Sequence, residues 1–400
     1  MAPVEPITET AELAALCRRL ASAAYVTVDT EFMRERTYWP QLCLVQLAGP
    51  DDAVAIDPLA PGIDLAPLLA LMADERVMKV FHAARQDCEI FYYLSGRVPA
   101  PLFDTQIAAM VCGFGDAVSY QQIAGKLANA RIDKSLRFTD WARRPLSEQQ
   151  IRYAIDDVRH LRVIYERLSQ RLAASGRAEW VAEEMAALGN PALYAQKPEE
   201  AWRRIKTRST DRRFLAILRA LAAWREREAQ RRDVPRNRVV RDEALTEIAA
   251  HPPATVEALA RTRGLAAGLA RGAIGQALLE AVARGRAVPD AECPRLARER
   301  TLPRGAAPVV DLLKVLLKMK CEAHHVAQHL VASADDLQRL AADQGADVPA
   351  LKGWRYDIYG ADALALRAGR LALAVAGKRL RLIPVAGPER ARAAPAAGGR

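Results

Sequence analysis

The run Tyr25-Val26-Thr27-Val28-Asp29-Thr30-Glu31-Phe32 constrains this chain more than any other stretch. Its first half is apolar and rich in β-branched residues, which predicts a buried strand. Side chains two apart on a strand share a face, so Asp29 and Glu31 stand side by side near the strand's end. Two carboxylates that close repel, and one keeps a proton unless a cation lies between them. A divalent ion bound through hard oxygen ligands is the economical reason to keep the pair. The competing reading is a strand running out into a solvated acidic turn.

Around this strand the pattern predicts a mixed sheet. A short helix near Thr10–Ala21 precedes it. Gln41–Leu47 and Ala53–Asp57 read as further strands, and Pro50-Asp51-Asp52 between them has tight-turn chemistry, so the three form an antiparallel meander. Leu65 to Met72 is helical in period, Val77–His82 is a buried strand, and Gln86 to Leu94 is a helix behind it. Asp104 is placed to cap a helix rather than to bind a ligand. Ser147, with Gln150 three residues on, opens a long helix reaching about Ala173. A meander followed by alternating strands and helices gives a sheet with helices against its faces.

Two further acidic positions join the first pair. Asp87 follows the Val77–His82 strand, where a helix dipole favours a carboxylate in any case. Tyr153 and Asp157 lie four apart on the long helix and share a face. Asp156, three residues from Tyr153, serves equally well on periodicity, and spacing leaves both open. His82 reads as packing or hydrogen-bonding beside these positions rather than taking a proton, and Phe32 and Met33 read equally as core packing or as a wedge against a terminal base.

With 400 residues the chain has room for two or three domains. No apolar run approaches the roughly 20 residues of a membrane helix, and Met1-Ala2-Pro3-Val4-Glu5 carries no signal-peptide pattern. Six cysteines, none in a C-x-x-C pair, suit a reducing cytoplasm. Charge divides unevenly: residues 1–192 hold 20 Lys/Arg against 25 Asp/Glu, and the rest hold 38 against 23. An acidic first half and a basic second half suggest metal chemistry in one and a polyanion partner for the other.

The second half is helical in period. Gly189-Asn190-Pro191 ends the first domain on a turn, and a basic connector over 193–212 follows. Leu215, Leu218, Leu221, Ala222 and Trp224 fall on one helix face. Arg236, Arg238 and Arg241 lie in a basic loop entering another helix, where they are placed to hold phosphates. Trp202 and Trp354 read as core residues, with base stacking the alternative. A last helical block runs from Val309 to about Ala376, and residues 384–400 are expected to be a disordered tail. Cys321, His325 and His329 recur every four residues. On one helix the outer two would lie about 12 Å apart, too far to share a zinc ion.

Here the residues carry a resemblance. Val28-Asp29-Thr30-Glu31-Phe32, His82-Ala83-Ala84-Arg85-Gln86-Asp87 and Tyr153-x-x-x-Asp157 resemble the three motifs of the DEDD exonuclease superfamily in its tyrosine-containing branch. The connecting phrases sharpen this to the ribonuclease D family: Arg34–Leu42, Phe103–Ile107, Asp133-Lys134-Ser135 and Thr139-Asp140-Trp141. The family's spacing selects Asp157 over Asp156. Leu221–Glu226 with Val234–Val240, and less fully Leu351–Gly360, resemble the HRDC helical domain of RecQ-type helicases and ribonuclease D.

The resemblance implies a ribonuclease H-like α/β exonuclease domain over 1–192. Two all-α HRDC-like domains follow it, over 213–290 and 303–383. It further implies a monomeric, cytoplasmic, metal-dependent 3′-5′ exoribonuclease. Its partner would be RNA, such as tRNA precursors, with no membrane. Two divalent ions, Mg²⁺ or Mn²⁺, about 4 Å apart, would activate water and neutralise the phosphate. Asp29, Glu31 and Asp157 would hold them directly and Asp87 through water. Tyr153, protonated at neutral pH with an ordinary pKa of about 10, would orient the attacking water. The rivals are a DNA 3′-5′ exonuclease and a catalytically silent RNA-binding adaptor.

Overall fold

The computed structural model describes residues 5–133, 136, 139–296 and 302–385. Its first part runs α1 (Thr10–Leu20), β1 (Tyr25–Met33), β2 (Gln41–Ala48), β3 (Ala53–Ile56), α2 (Ala66–Met72), β4 (Met78–Phe81), α3 (Arg85–Ser95) and β5 (Leu102–Asp104). Then come α4 (Thr105–Val111), α5 (Tyr120–Ile123), α6 (Glu148–Ser175) and α7 (Ala178–Leu188). The helical part holds α8 (Arg212–Arg232), α9 (Arg236–Val239), α10 (Asp242–Ala250), α11 (Val256–Leu259), α12 (Ala267–Arg271) and α13 (Ala273–Ala287). It ends with α14 (Ala306–His324), α15 (Gln328–Val331), α16 (Ala334–Ala342), α17 (Gly353–Arg355), α18 (Ala361–Arg367), β6 (Leu371–Ala376) and β7 (Arg379–Pro384). The chain packs as two compact units. One comprises Met1–Phe103, Ile132–Arg162 and Met185–Glu299; the other comprises Asp104–Arg131, Val163–Glu184 and Arg300–Arg400.

In the first unit the expected meander is present. The sheet order is β3-β2-β1-β4-β5, with β1 antiparallel to β2, β2 antiparallel to β3, and β1 parallel to β4. Strand β1 is therefore central, and Val26, Thr27 and Val28 are wholly buried. Its register with β2 sets Asp29 opposite Gln46 and Glu31 opposite Leu44, and then shifts between Glu31 and Phe32. Pairing resumes with Phe32 opposite Leu42 and Met33 opposite Gln41, so the one-residue bulge lies directly after the two carboxylates.

Helix α6 is placed by polar contacts at both edges of its packed face. Ser147 and Gln150 form the expected capping box: Gln150 Oε1 accepts from the Ser147 amide at 2.9 Å, and Ser147 Oγ accepts from the Gln150 amide at 3.2 Å. Further along, Thr27 Oγ1 donates to the Val158 carbonyl at 2.8 Å. Thr27 shares a strand face with Asp29 and Glu31, so α6 lies over that face. Between these points Trp141, Ile151, Ala154 and Ile155 pack on Cys43, Leu44 and Ala55 of the sheet. Arg144 locks the approach to the helix. Its guanidinium donates to Asp57 through Nε and Nη2, both at 2.6 Å, to the Cys43 carbonyl at 2.7 Å and to the Trp141 carbonyl at 2.7 Å.

The basic connector is part of the packed structure: Ala201, Trp202 and Ile205 join Leu215, Leu218, Leu221 and Ala222 in one core. Trp202 is thus a core residue, as expected. The two helical blocks repeat one pattern. Helix α8 ends in Asp233 with left-handed backbone and is followed by helices of 4 and 9 residues; α14 ends likewise in His325, again followed by helices of 4 and 9 residues. His325 therefore breaks the helix, and Cys321, His325 and His329 do not lie on a single helix. The last block is also not helical to Ala376, because α18 stops at Arg367 and β6 pairs antiparallel with β7. Leu371-Ala372-Leu373-Ala374-Val375-Ala376 alternates leucine or valine with alanine, and a Gly377 with φ of +62° makes the turn. Pro384 ends β7, and residues 386–400 of the expected tail lie outside the described residues, as do Lys134 and Ser135. Within the second unit, Arg355 is buried with its guanidinium on Glu183, Glu184 and the Leu330 carbonyl. Trp354 stacks on Trp180 at 4.2 Å.

Removing the Arg144 side chain leaves Asp57 as a buried charge without its counter-ion. Arg144→Ala is expected to lower unfolding free energy by about 3 kcal/mol, measured by urea denaturation. A loss below about 1 kcal/mol would show that the clamp is dispensable.

Candidate active site

The end of β1 gathers the carboxylates. One oxygen from each of Asp29, Glu31 and Asp157 lies within 4.8 Å of the other two, and among the described residues no other such group of acidic, His or Cys side chains occurs. Asp157 is 9% exposed, whereas the Asp156 side chain is 45% exposed and pairs with Arg159 at 2.9 Å. The helix therefore turns Asp157, and not its neighbour, to the strand. That choice follows from the Thr27–Val158 bond, which fixes the rotation of α6 and is invisible to periodicity.

Asp87 approaches from α3 and is 7% exposed. It stands outside the three-oxygen group but accepts a hydrogen bond at 2.5 Å from Thr30 Oγ1, itself buried. Thr30 escaped sequence reasoning; the only signal was a hydroxyl between two acidic residues on a strand. Tyr153 donates its hydroxyl to Asp157, and its ring lies 6.1 Å from that of buried Trp141, with 30° between their planes. Asp104 has the expected capping role, accepting from the Gln106 amide at 2.8 Å. His82 is half-buried at the end of β4. Phe32 and Met33 are half-buried; Arg34 lies 5.4 Å over the Phe32 ring, and Met33 packs on the sheet core.

The electrostatics are those of a site short of positive charge. Burial, then the charges of Asp87, Asp157 and Glu31, push the Asp29 carboxyl well above its usual range. Burial and the neighbouring Asp156 push Asp157 up to about 7, against the hydrogen bond from Tyr153. Without a cation, these groups hold protons near neutrality. The donor set fits a divalent ion. All its atoms are carboxylate oxygens, and an octahedral ion with bonds of about 2.1 Å sets opposed ligands about 4.2 Å apart. Oxygens already within 4.8 Å of one another need little movement to meet that demand.

The expected phosphate-holding arginines separate. Arg238 and Arg241 are exposed. Arg236 is half-buried and committed elsewhere: its Nε and Nη2 each donate to Glu226 at 2.6 Å.

Comparison with known proteins agrees with this geometry. The 3′-5′ exonuclease family matches residues 4–173, and the HRDC domain family matches residues 214–282. The chain is 55% identical to a ribonuclease D of Gluconacetobacter diazotrophicus over 378 residues, covering 94% of this chain and 96% of that one. It is equally 55% identical to a ribonuclease D of Acidiphilium cryptum over 382 residues, covering 95% and 97%. Its fold is similar to the crystal structure of Escherichia coli RNase D, described as an exoribonuclease involved in structured RNA processing. That match has a TM-score of 0.77 and 32% identity, over 92% of this chain and 98% of that one. The chain belongs to the ribonuclease D family of 3′-5′ exoribonucleases.

Proposed function

We propose that this chain trims the 3′ ends of structured RNA such as tRNA precursors, releasing nucleoside 5′-monophosphates. It would act as a cytoplasmic monomer, with residues 1–192 as nuclease and 213–290 and 303–383 holding RNA. The observation that carries this reading is the cluster of Asp29, Glu31 and Asp157 oxygens with Tyr153 bonded to it. The six cysteines are free, five of them buried, which suits a reducing compartment. No helix among the described residues is long and apolar enough to cross a membrane.

Asp29, Glu31, Asp87 and Asp157 would hold two divalent ions, Mg²⁺ or Mn²⁺. When bound, these supply charge neutralisation at the phosphate and a water acidic enough to react near neutral pH. The chain's own residues set the geometry. Tyr153, hydrogen-bonded to Asp157, orients the water for attack on the terminal phosphorus. Thr30 holds Asp87 from the far face of β1. The bond from phosphorus to the 3′ oxygen of the preceding nucleotide breaks, and that oxygen takes a proton. Arg238 and Arg241 contact backbone phosphates further up the strand.

On a 3′-labelled tRNA precursor, Mg²⁺ or Mn²⁺ is expected to support stepwise loss of nucleotides, and EDTA to stop it. Asp29→Asn should cut the rate by about three orders of magnitude, equivalent to about 4 kcal/mol of barrier. Activity that persists in EDTA or in the variant would defeat the reading, and faster degradation of a matched DNA 3′ end would reassign the substrate.

The carboxyl shifts predict how ion binding depends on pH. A carboxyl whose folded pKa is raised adds stability below its unfolded value, near pH 4, and loses it as pH rises through the folded value. For Asp157 that loss begins near pH 4 and is complete once the pH has passed about 7. Deprotonated carboxylates are the form that binds the ion, so the rise in Tm caused by Mn²⁺ should be larger at pH 8 than at pH 6. Asp157→Asn should flatten the difference; a pH-independent rise in the native protein would contradict the assignment.

Replacing Arg238 and Arg241 by Ala should weaken RNA binding and reduce the salt slope of the affinity by about 0.7 for each phosphate no longer neutralised. An unchanged slope would remove both residues from the RNA surface.

A further inference from the structure

The loop between β1 and β2, residues 34–40, is gripped from two sides within the first compact unit. On one side stands the first helical block. Tyr38 donates its hydroxyl to Glu226 and accepts from Gln230 Nε2 at 3.1 Å and Arg236 Nη2 at 3.0 Å. Glu226 is 1% exposed and bears the two Arg236 bonds described above. Burial opposes its charge, but Arg236, Tyr38 and Arg204 outweigh burial and leave its carboxyl below the usual range. Asp233, the left-handed residue ending α8, accepts both the Tyr38 and the Trp39 amides through Oδ1, each at 3.0 Å.

On the other side stands α3, the helix of Asp87. Trp39 stacks on Tyr93 with ring centroids 4.3 Å apart and planes within 15°. Arg34 pairs with Glu89. Glu89 and Tyr93 are four apart and share a helix face. One loop thus joins the strand of Asp29 and Glu31, the helix of Asp87, and a helical block that holds no residue of the carboxylate cluster. On the helical-block side the grips are hydrogen bonds, from main-chain amides to Asp233 and from a hydroxyl to a buried carboxylate, which fix position more sharply than apolar contact does.

We infer that Glu226 and Asp233 of the first helical block are positioning residues for the nuclease site: by holding Tyr38 and Trp39 they fix the loop that keeps β1 and α3 in register. The inference rests on the exonuclease reading above and extends it. The first helical block then does more than hold RNA: it completes the frame in which Asp87 meets Asp29 and Glu31. Reacting groups displaced by about 1 Å lose on the order of 100-fold in rate, so a partly slackened frame is visible in turnover before it is visible in folding.

The test uses the full chain with Glu226→Gln, Asp233→Ala and Tyr38→Phe, each assayed well below its own Tm. The first readout is hydrogen–deuterium exchange over residues 85–95 in EDTA, which needs neither metal nor activity. Exchange about tenfold faster in the variants supports the inference, and native exchange over α3 overturns it. The second is turnover of a ribodinucleotide, too short to reach any phosphate site on the helical block. A fall of about tenfold in kcat with KM within about twofold supports positioning. Native dinucleotide kcat with a raised KM only on tRNA precursor overturns it and returns these residues to RNA holding. Should the native enzyme leave the 3′ end of the tRNA precursor intact in both metals, the exonuclease reading fails on its own, and the exchange result still decides the frame.

Discussion

Repulsion among crowded carboxylates is the constraint from which the rest of the fold takes its form. Oxygens of Asp29, Glu31 and Asp157 stand within 4.8 Å, with Asp87 close enough to raise the Asp29 pKa. Such a group does not assemble by its own attraction, so neighbouring structure must impose it. The central position of β1, with wholly buried Val26 and Val28, supplies one rigid element. Helix α6 supplies the other, held by its capping box, by the Trp141 packing and by the Arg144 clamp. The apolar core absorbs a local cost that a divalent ion then relieves.

The basic second half shows how net charge overstates the positive surface available to a polyanion. Many of its arginines serve the fold. Arg212 donates to the Ala291 and Cys293 carbonyls, Arg213 to Asp290 and three carbonyls, Arg225 to Asp242 and the Val240 carbonyl, and Arg236 to Glu226. A guanidinium with five donors suits the ends of short helices, where carbonyls lack partners within the helix. Exposed Arg238 and Arg241 differ from Arg236 in this respect, although all three look alike in sequence.

What could be read from sequence was local. The β-branched run of β1, the turn at Pro50-Asp51-Asp52 and the Ser147–Gln150 box each encode their conformation within a few residues, and each forms as expected. Family motifs named the acidic positions, but separating Asp157 from Asp156 by physics required the Thr27–Val158 contact, between residues 131 apart. Thr30 on Asp87 and Tyr38 on Glu226 are likewise partners distant in sequence, and no period or spacing announces them. The β6–β7 hairpin was missed for a different reason. Alanine-rich segments suit a helix by propensity, and cross-strand pairing overrides that preference here.

The bond from Thr27 to the Val158 carbonyl has one more implication. Neither partner ionises, and both are buried, so the bond is indifferent to pH, to salt and to whatever occupies the carboxylates next door. Asp157 sits one residue from that anchor and inherits its position. The alignment of helix to strand is therefore a fixed reference, while protons and cations exchange at the side chains beside it. Such a site keeps its backbone geometry between turnovers and need not be rebuilt each time an ion or a product leaves.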